Sequence, residues 1–171
     1  MTNTREVAST LKAVLFMFLG LLLCLNNAYA VLDLQTVVVD GDSTIDFGNM
    51  KSLEENGDPA HDSAVRQVRL VVTSDLGRAY TIRQNVDEEP VNEAGTQVPA
   101  EAIRFTVEVE DGQGLVRTSD HEPLTAGMQE IYVSDDNEQR TVLLITYDFL
   151  VPPGQKAGRY HGMVTFRADA I

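Results

Sequence analysis

The three histidines of this chain are the first residues to examine for chemistry, because imidazole binds metals and transfers protons near neutral pH. They are His61, His121 and His161, and none has the H-x-H or H-E-x-x-H spacing that is typical of a zinc site. His61 lies between Asp58 and Asp62, which would allow a carboxylate–imidazole site. We favour a loop of ordinary polar residues there.

The acidic segment Asp40–Asp46, with the sequence DGDSTID, resembles a calcium-binding loop in the spacing of its first two aspartates. An EF-hand loop requires oxygen ligands at positions 1, 3 and 5, a glycine at position 6 and a distal glutamate. Here Thr44 occupies the fifth position and Ile45 the sixth, and no helices are predicted on either side. The sequence therefore predicts no metal site in this segment.

The sequence also contains no motif that is typical of nucleophilic or acid–base catalysis. Ser119-Asp120-His121 contains the residue types of a catalytic triad, but contiguous loop residues cannot reach triad geometry with each other, and no G-x-S-x-G elbow occurs. Asp148 is the one carboxylate in an apolar strand, and we expect it to face solvent on the side opposite Tyr147. The sequence predicts no catalytic, cofactor-binding or metal-binding residue, no cofactor, and a protein that is not an enzyme.

The N-terminus has the parts of a signal peptide. Arg5 and Lys12 precede an apolar run from Ala13 to Leu25, and Ala28 and Ala30 occupy the two positions that a signal peptidase recognises. We predict a cleaved signal over residues 1–30 and one domain over residues 31–171. This predicts a protein of the periplasm, the cell surface or the exterior of the cell.

Two alternatives to cleavage stay open. A transmembrane anchor needs about 20 apolar residues, and this run has 13. A lipoprotein would be acylated at Cys24, but Leu23 before it is not the small residue expected there. Cys24 is the only cysteine, so the mature chain would have neither a disulfide nor a thiolate.

The charge balance excludes some partners. Residues 1–30 hold two of the 13 basic residues and one of the 26 acidic ones, so the mature chain has a net charge near −14. Such a charge disfavours nucleic acids and anionic lipid surfaces, because each phosphate contact needs a cation.

The mature chain alternates apolar and polar residues in short runs, which is typical of strands with one buried face. The clearest run is Ala102–Glu110, and Pro152-Pro153-Gly154 must end the most apolar one. Loops are predicted over Lys51–Ser63 and Asp87–Glu101, the latter with a helical turn near Ala100. The pattern predicts an all-β, immunoglobulin-like two-sheet β-sandwich of about seven or eight strands. The predicted strands are Leu32–Val39, Thr44–Phe47, Val65–Thr73, Ala79–Val86, Ala102–Glu110, Glu130–Ser134, Thr141–Val151 and Arg159–Ala168.

The two ends of the domain carry a recognisable pattern. An early DFG is followed at the other end by AG-x-Y-x-G-x-V-x-F. This pairing resembles exported bacterial β-sandwich proteins that are similar to fimbrial subunits, in the spore-coat-U and alpha-fimbrial groups. The chain departs from them in lacking the disulfide of spore-coat-U-like subunits. The matching positions are Asp46, Phe47, Gly48, Ala157, Gly158, Tyr160, Gly162, Val164 and Phe166.

The resemblance implies assembly by strand donation, in which an extended segment of one subunit completes the sheet of its neighbour. Val31–Val39 is the candidate donor, and the alternative, which we favour, is that it pairs within its own chain. We expect a structural or adhesive protein of the bacterial envelope, pilin-like in character, with protein partners or self-association through a donated strand. The alternative is a secreted monomeric module that binds carbohydrate or protein through its loops.

Overall fold

The computed structural model describes residues 30–39, 46–50, 63–150, 152, 155–156 and 158–171. Residues Val31–Ile171 form one compact unit. No helix in the described ranges is long and apolar enough to cross a membrane. The candidate sites at His61, Asp40–Ile45 and Cys24 lie outside these residues, as does the predicted loop Lys51–Ser63 except for its last residue.

Ten strands and one 3₁₀ turn make up the described part of the chain. The 3₁₀ turn is Ala100–Ala102, where the sequence predicted a helical turn. The strands are β1 (Leu32–Val38), β2 (Asp46–Met50), β3 (Ser63–Ser74), β4 (Tyr80–Asn92), β5 (Ile103–Asp111), β6 (Leu115–Val116), β7 (Glu122–Pro123), β8 (Gly127–Val133), β9 (Arg140–Leu150) and β10 (Gly158–Ala170).

The strands form two five-stranded antiparallel sheets. Sheet A has the order β1-β3-β9-β5-β7, and sheet B has the order β2-β10-β4-β8-β6. The prediction of an all-β two-sheet sandwich is therefore confirmed. The strand number is larger than expected because β6 and β7, with two residues each, are too short to produce an alternating pattern.

The predicted loop Asp87–Glu101 is wrong in its first part, since β4 continues to Asn92. This half of β4 pairs with β10, and the register shifts twice between His161 and Val164. A Cβ at Gly162 would lie only 3.0 Å from the carbonyl oxygen of Glu88 and 3.3 Å from the nitrogen of Pro90. The irregular pairing therefore accommodates a proline, which cannot donate to the ladder.

The core lies between the sheets and contains most of the large inward side chains. Three of its rings form an aromatic cluster. The ring centroid of Phe149 lies 4.9 Å from that of Phe47 and 5.7 Å from that of Tyr160. Phe47 and Tyr160 belong to the two terminal sequence patterns, and the pairing of β2 with β10 brings those patterns together. Tyr160 is fully buried, whereas Phe166 is only half-buried.

The outer face of sheet A is bridged by an ion pair. Arg69 on β3 donates from Nε and Nη2 to the two carboxylate oxygens of Glu110 on β5, at 2.6 Å and 2.7 Å. This hydrogen-bonded contact raises the pKa of Arg69 and lowers the pKa of Glu110. Because β9 lies between β3 and β5, the ion pair crosses over β9. Val142, on the outer face of β9, is only 5% exposed.

Candidate functional site

The edge of sheet A at β1 exposes a row of backbone hydrogen-bonding groups. Val39 donates its N–H to the carbonyl of Gln67, and the carbonyl of Val31 accepts from the N–H of Asp75. In an antiparallel pair the residues that bond to the neighbour alternate with residues whose backbone groups point away. The odd-numbered residues of β1 therefore bond to β3. The open edge carries the backbone groups of Leu32, Leu34, Thr36 and Val38.

This edge lacks the features that usually protect a free strand. Its pairing with β3 runs through seven residues without a bulge, and the strand contains no proline or lysine and one charge, Asp33. Val31, Val37 and Val39 are 52%, 48% and 39% exposed. Within the described part of the chain no strand pairs with β1 on its open side. The edge is therefore a template for another strand.

A second stretch of open backbone lies on β10, which packs against β1 from the other sheet. β2 pairs only with Gly158–His161 of this strand. The N–H of Ile171 donates to Ala79, so the even-numbered residues from 164 onward direct their backbone groups away from β4. Val164 and Phe166, which point inward here, are only half-buried. The described residues therefore cover the core incompletely along this side of the sandwich.

A cleft of about 430 Å³ lies at one end of the molecule, between the loops 111–113 and 135–140. Glu138 is one of its lining residues, and its carboxylate accepts hydrogen bonds from the hydroxyls of Tyr132 and Thr141 at 2.9–3.1 Å. The same carboxylate accepts the backbone N–H groups of Gln113 and Asp135, both at 3.0 Å. Because all these bonds hold Glu138 in place, its role is to join the two loops.

Two glycines allow the first of these loops to lie over the tyrosine. A Cβ at Gly114 would come within 2.2 Å of the carbonyl oxygen of Val133 and 2.5 Å of the Tyr132 hydroxyl. Gly112, at φ +133°, would bring a Cβ to 2.4 Å from the carboxylate of Glu138. The N–H of Gly114 donates to the Tyr132 hydroxyl at 2.8 Å. A larger residue at Gly114 would therefore displace the loop, whereas one at Gly112 would be strained by its φ and would push the Glu138 carboxylate aside.

Burial dominates the ionisation of the interior tyrosines. It raises the pKa of Tyr132 to about 12, with the nearby carboxylate of Glu138 contributing in the same direction. Burial also raises the pKa of Tyr80 and that of Tyr147. These hydroxyls therefore stay protonated at neutral pH and act as hydrogen-bond donors rather than as bases.

The residues that the sequence singled out do not come together. His121 lies in the loop before β7 at φ +54°, and His161 lies exposed on β10 in the other sheet. Ser119 bonds to Glu122 through its N–H and its hydroxyl, so it does not form a triad with His121. No group of three metal-ligating side chains exists among the described residues. Asp148 lies on the face opposite Tyr147, as expected, but its Oδ1 is buried without a hydrogen-bond partner.

Sequence reasoning missed the cluster around Glu138. No site was predicted in Asp111–Gly114 or Asp135–Glu138. The available signal was the pair of glycines flanking Gln113, because spaced glycines often mark close approach of the backbone. The residues that this backbone approaches, Tyr132, Val133 and Glu138, lie about 20 residues further along the chain. Contact between the two segments therefore depends on the tertiary fold.

No family model and no curated protein matches this chain. Among solved structures, it is similar to a family 123 glycoside hydrolase from Clostridium perfringens, whose structural study concerned glycolipid glycan hydrolysis. The identity is 12% and the TM-score is 0.44. The match covers 80% of this chain and 25% of that one, so the chain spans a quarter of the length of the hydrolase.

The prediction that the chain is not an enzyme is contradicted by this comparison, because the matched protein is a hydrolase. What the hydrolase acts on remains a property of that protein, since a match of this identity and TM-score transfers no substrate and no catalytic residue.

Proposed function

We propose that this protein is an exported structural or adhesive protein of the bacterial envelope that self-associates by adding a strand at the open edge of β1. The observation that carries the proposal is the row of outward-facing backbone groups at Leu32, Leu34, Thr36 and Val38, with which no strand in the described ranges pairs. A strand added there would gain main-chain hydrogen bonds without any change in the sandwich. The apolar run and the Ala28-x-Ala30 pattern support export.

A second copy of the chain fits this edge. In a two-fold antiparallel pairing centred on Gln35, Leu32 faces Val38 of the other copy and Leu34 faces Thr36. All four open positions are thereby matched, as an isologous interface requires. On the outer face, Val31 of each copy meets Val39 of the other, which covers two exposed valines at each end.

The charges of the edge permit this register. Asp33 would face Val37 of the other copy, so the two Asp33 side chains lie four residues apart, which is about 13 Å along a strand. This exceeds the screening length of about 8 Å at physiological ionic strength. The net charge near −14 opposes association at longer range, so added salt should strengthen the dimer.

The test uses the chain from Val31 to Ile171 and one matched pair of variants. Thr36→Pro removes an N–H from the open edge without removing a bond to β3, whereas Thr36→Val keeps that N–H. We expect sedimentation to show dimers or larger oligomers for the wild type and for Thr36→Val, and monomers for Thr36→Pro. Circular dichroism checks that all three fold. A wild type that stays monomeric, or a Thr36→Pro variant that associates equally, would contradict the proposal.

The second candidate function is a secreted module that binds carbohydrate or protein through its loops. The cleft of about 430 Å³ between loops 111–113 and 135–140 favours it. Gln113 is exposed at this cleft, so Gln113→Trp should fill part of the space without disturbing the core. A glycan-array signal that Gln113→Trp abolishes would support this function. A blank array would count against a carbohydrate ligand.

A further inference from the structure

The first residue after the predicted cleavage site contacts a carboxylate. The backbone nitrogen of Val31 donates a hydrogen bond to Oδ1 of Asp75, and the carbonyl of Val31 accepts the N–H of Asp75 at 3.1 Å. Asp75 begins the turn that follows β3, and Gly77 completes that turn at φ +63°. One aspartate therefore holds the start of β1 through both its main chain and its side chain.

We propose that Asp75 is a built-in counterion for a new α-amino group at Val31, formed when the Ala30–Val31 peptide bond is hydrolysed. Water adds across this bond, Ala30 leaves with a carboxylate, and the nitrogen of Val31 becomes a protonated amine. The nitrogen that now donates one N–H as an amide would then carry a full positive charge and three donors. This inference rests on the export in the proposed function and assigns a processing site within it.

The residues around the Ala30–Val31 bond are compatible both with its hydrolysis and with a charged amine at Val31. Ala30 and Val31 are exposed, and the compact unit that contains the sandwich begins at Val31. A cleft of about 350 Å³ is lined by Val31, Thr73, Ser74, Asp75 and Gln139, which leaves room for a hydrated ammonium group. In a chain with twice as many acidic as basic residues, the new cation would be well accommodated.

Processing would therefore strengthen the attachment of β1 to its own sheet. Before cleavage, the contact at Val31 is a hydrogen bond from a neutral amide. After cleavage the donor carries a full positive charge, so Coulombic attraction to the Asp75 carboxylate adds to the hydrogen bond. The strand whose open edge the proposed function uses would then be held more firmly in the mature protein than in the precursor.

The test is a double-mutant cycle on the purified chain 31–171. One change is acetylation of the Val31 amine, which removes its charge. The other is Asp75→Asn, which keeps an oxygen acceptor but removes the negative charge. The four proteins are compared by urea unfolding in low salt.

We expect acetylation to lower the folding equilibrium constant about two- to five-fold when Asp75 is present, a range typical of exposed ion pairs, and to have no such effect in the Asp75→Asn variant. The difference should shrink in 1 M salt. Equal effects of acetylation on the wild type and on the Asp75→Asn variant would contradict the proposal that the Val31 amine and Asp75 form an ion pair.

N-terminal sequencing of the protein exported from a bacterial host separates this inference from the export itself. A first residue of Val31 supports the assigned processing site. An exported protein that begins at another residue overturns the site and leaves export intact, whereas a protein retained in the cytoplasm with Met1 contradicts both.

Discussion

The hydroxyl of Tyr147 on β9 donates a 2.8 Å hydrogen bond to Oε1 of Gln84 on β4, across the interior of the sandwich. Both residues are almost completely buried. Gln84 in turn donates to Gln129 at 3.2 Å, and Gln129 donates to Glu122 at 3.0 Å. This chain of side chains joins the two sheets by polar contacts inside a largely apolar core.

Replacing Tyr147 by phenylalanine should destabilise the protein by about 1–3 kcal/mol, because Oε1 of Gln84 loses its donor inside the core. Urea unfolding followed by circular dichroism measures the change. The double variant Tyr147→Phe, Gln84→Met should recover part of the loss, because an apolar pair leaves no unsatisfied acceptor in this position. A Tyr147→Phe variant as stable as the wild type would show that the hydrogen bond contributes nothing.

Replacing Gly114 by alanine should displace the loop over Tyr132 and lower stability by about 2 kcal/mol, within the range for overpacked sites. The matched control is Gly95→Ala, where φ is +76° but nothing lies within 4 Å of the added Cβ. Gly95→Ala should lower the free energy of unfolding by about 1–2 kcal/mol, because its backbone conformation alone is unfavourable for alanine. Only Gly114→Ala should also change the near-ultraviolet circular dichroism of the tyrosines.

Stability should fall as the pH rises above 10. The pKa of Tyr132 is about 12 in the folded protein and about 10 in an unfolded chain, so folding favours the protonated hydroxyl. This contribution is fully present below pH 10 and is lost as the pH rises toward 12. The urea midpoint at pH 8, 10 and 11 measures the effect. The variant Tyr132→Phe should show a shallower decline, and an identical decline would contradict the assignment.

The exported protein should contain no reactive thiol. Cys24 is the only cysteine and lies within the predicted signal, so cleavage after Ala30 removes it. A thiol reagent applied to the denatured mature protein should therefore give no signal, whereas the uncleaved chain gives one per molecule. A full signal from exported protein would contradict this cleavage site.

Much of the strand pattern could be predicted from the sequence because alternation survives wherever one face is buried and the other is not. In Ile103–Asp111 the apolar and polar residues alternate cleanly over the first five positions, and so does their burial. The extension of β4 through Asp87–Asn92 could not be predicted. Its acidic residues and Pro90 are typical of a loop, and only the irregular pairing with β10 makes a strand there.

The terminal patterns show a different limit. Asp46-Phe47-Gly48 and the segment around Tyr160 stood out at opposite ends of the sequence, but nothing in either indicated that they pair. The structure joins them because β2 and β10 are neighbours in sheet B. Alternation indicates which face of a strand is buried and gives no information about which strand lies beside it.

The sequence by itself determined the strand periodicity, the acidic balance and the absence of cysteine beyond Cys24. Alternation is a property of residues close together in the chain, and the other two follow from composition alone. The tertiary structure alone decided that β1 stands last in sheet A among the described strands, that Glu138 joins two loops, and that the nitrogen of Val31 meets the carboxylate of Asp75. These three depend on contacts between residues 20 to more than 40 positions apart. Local composition cannot specify them, since they arise only when the two sheets pack on one core.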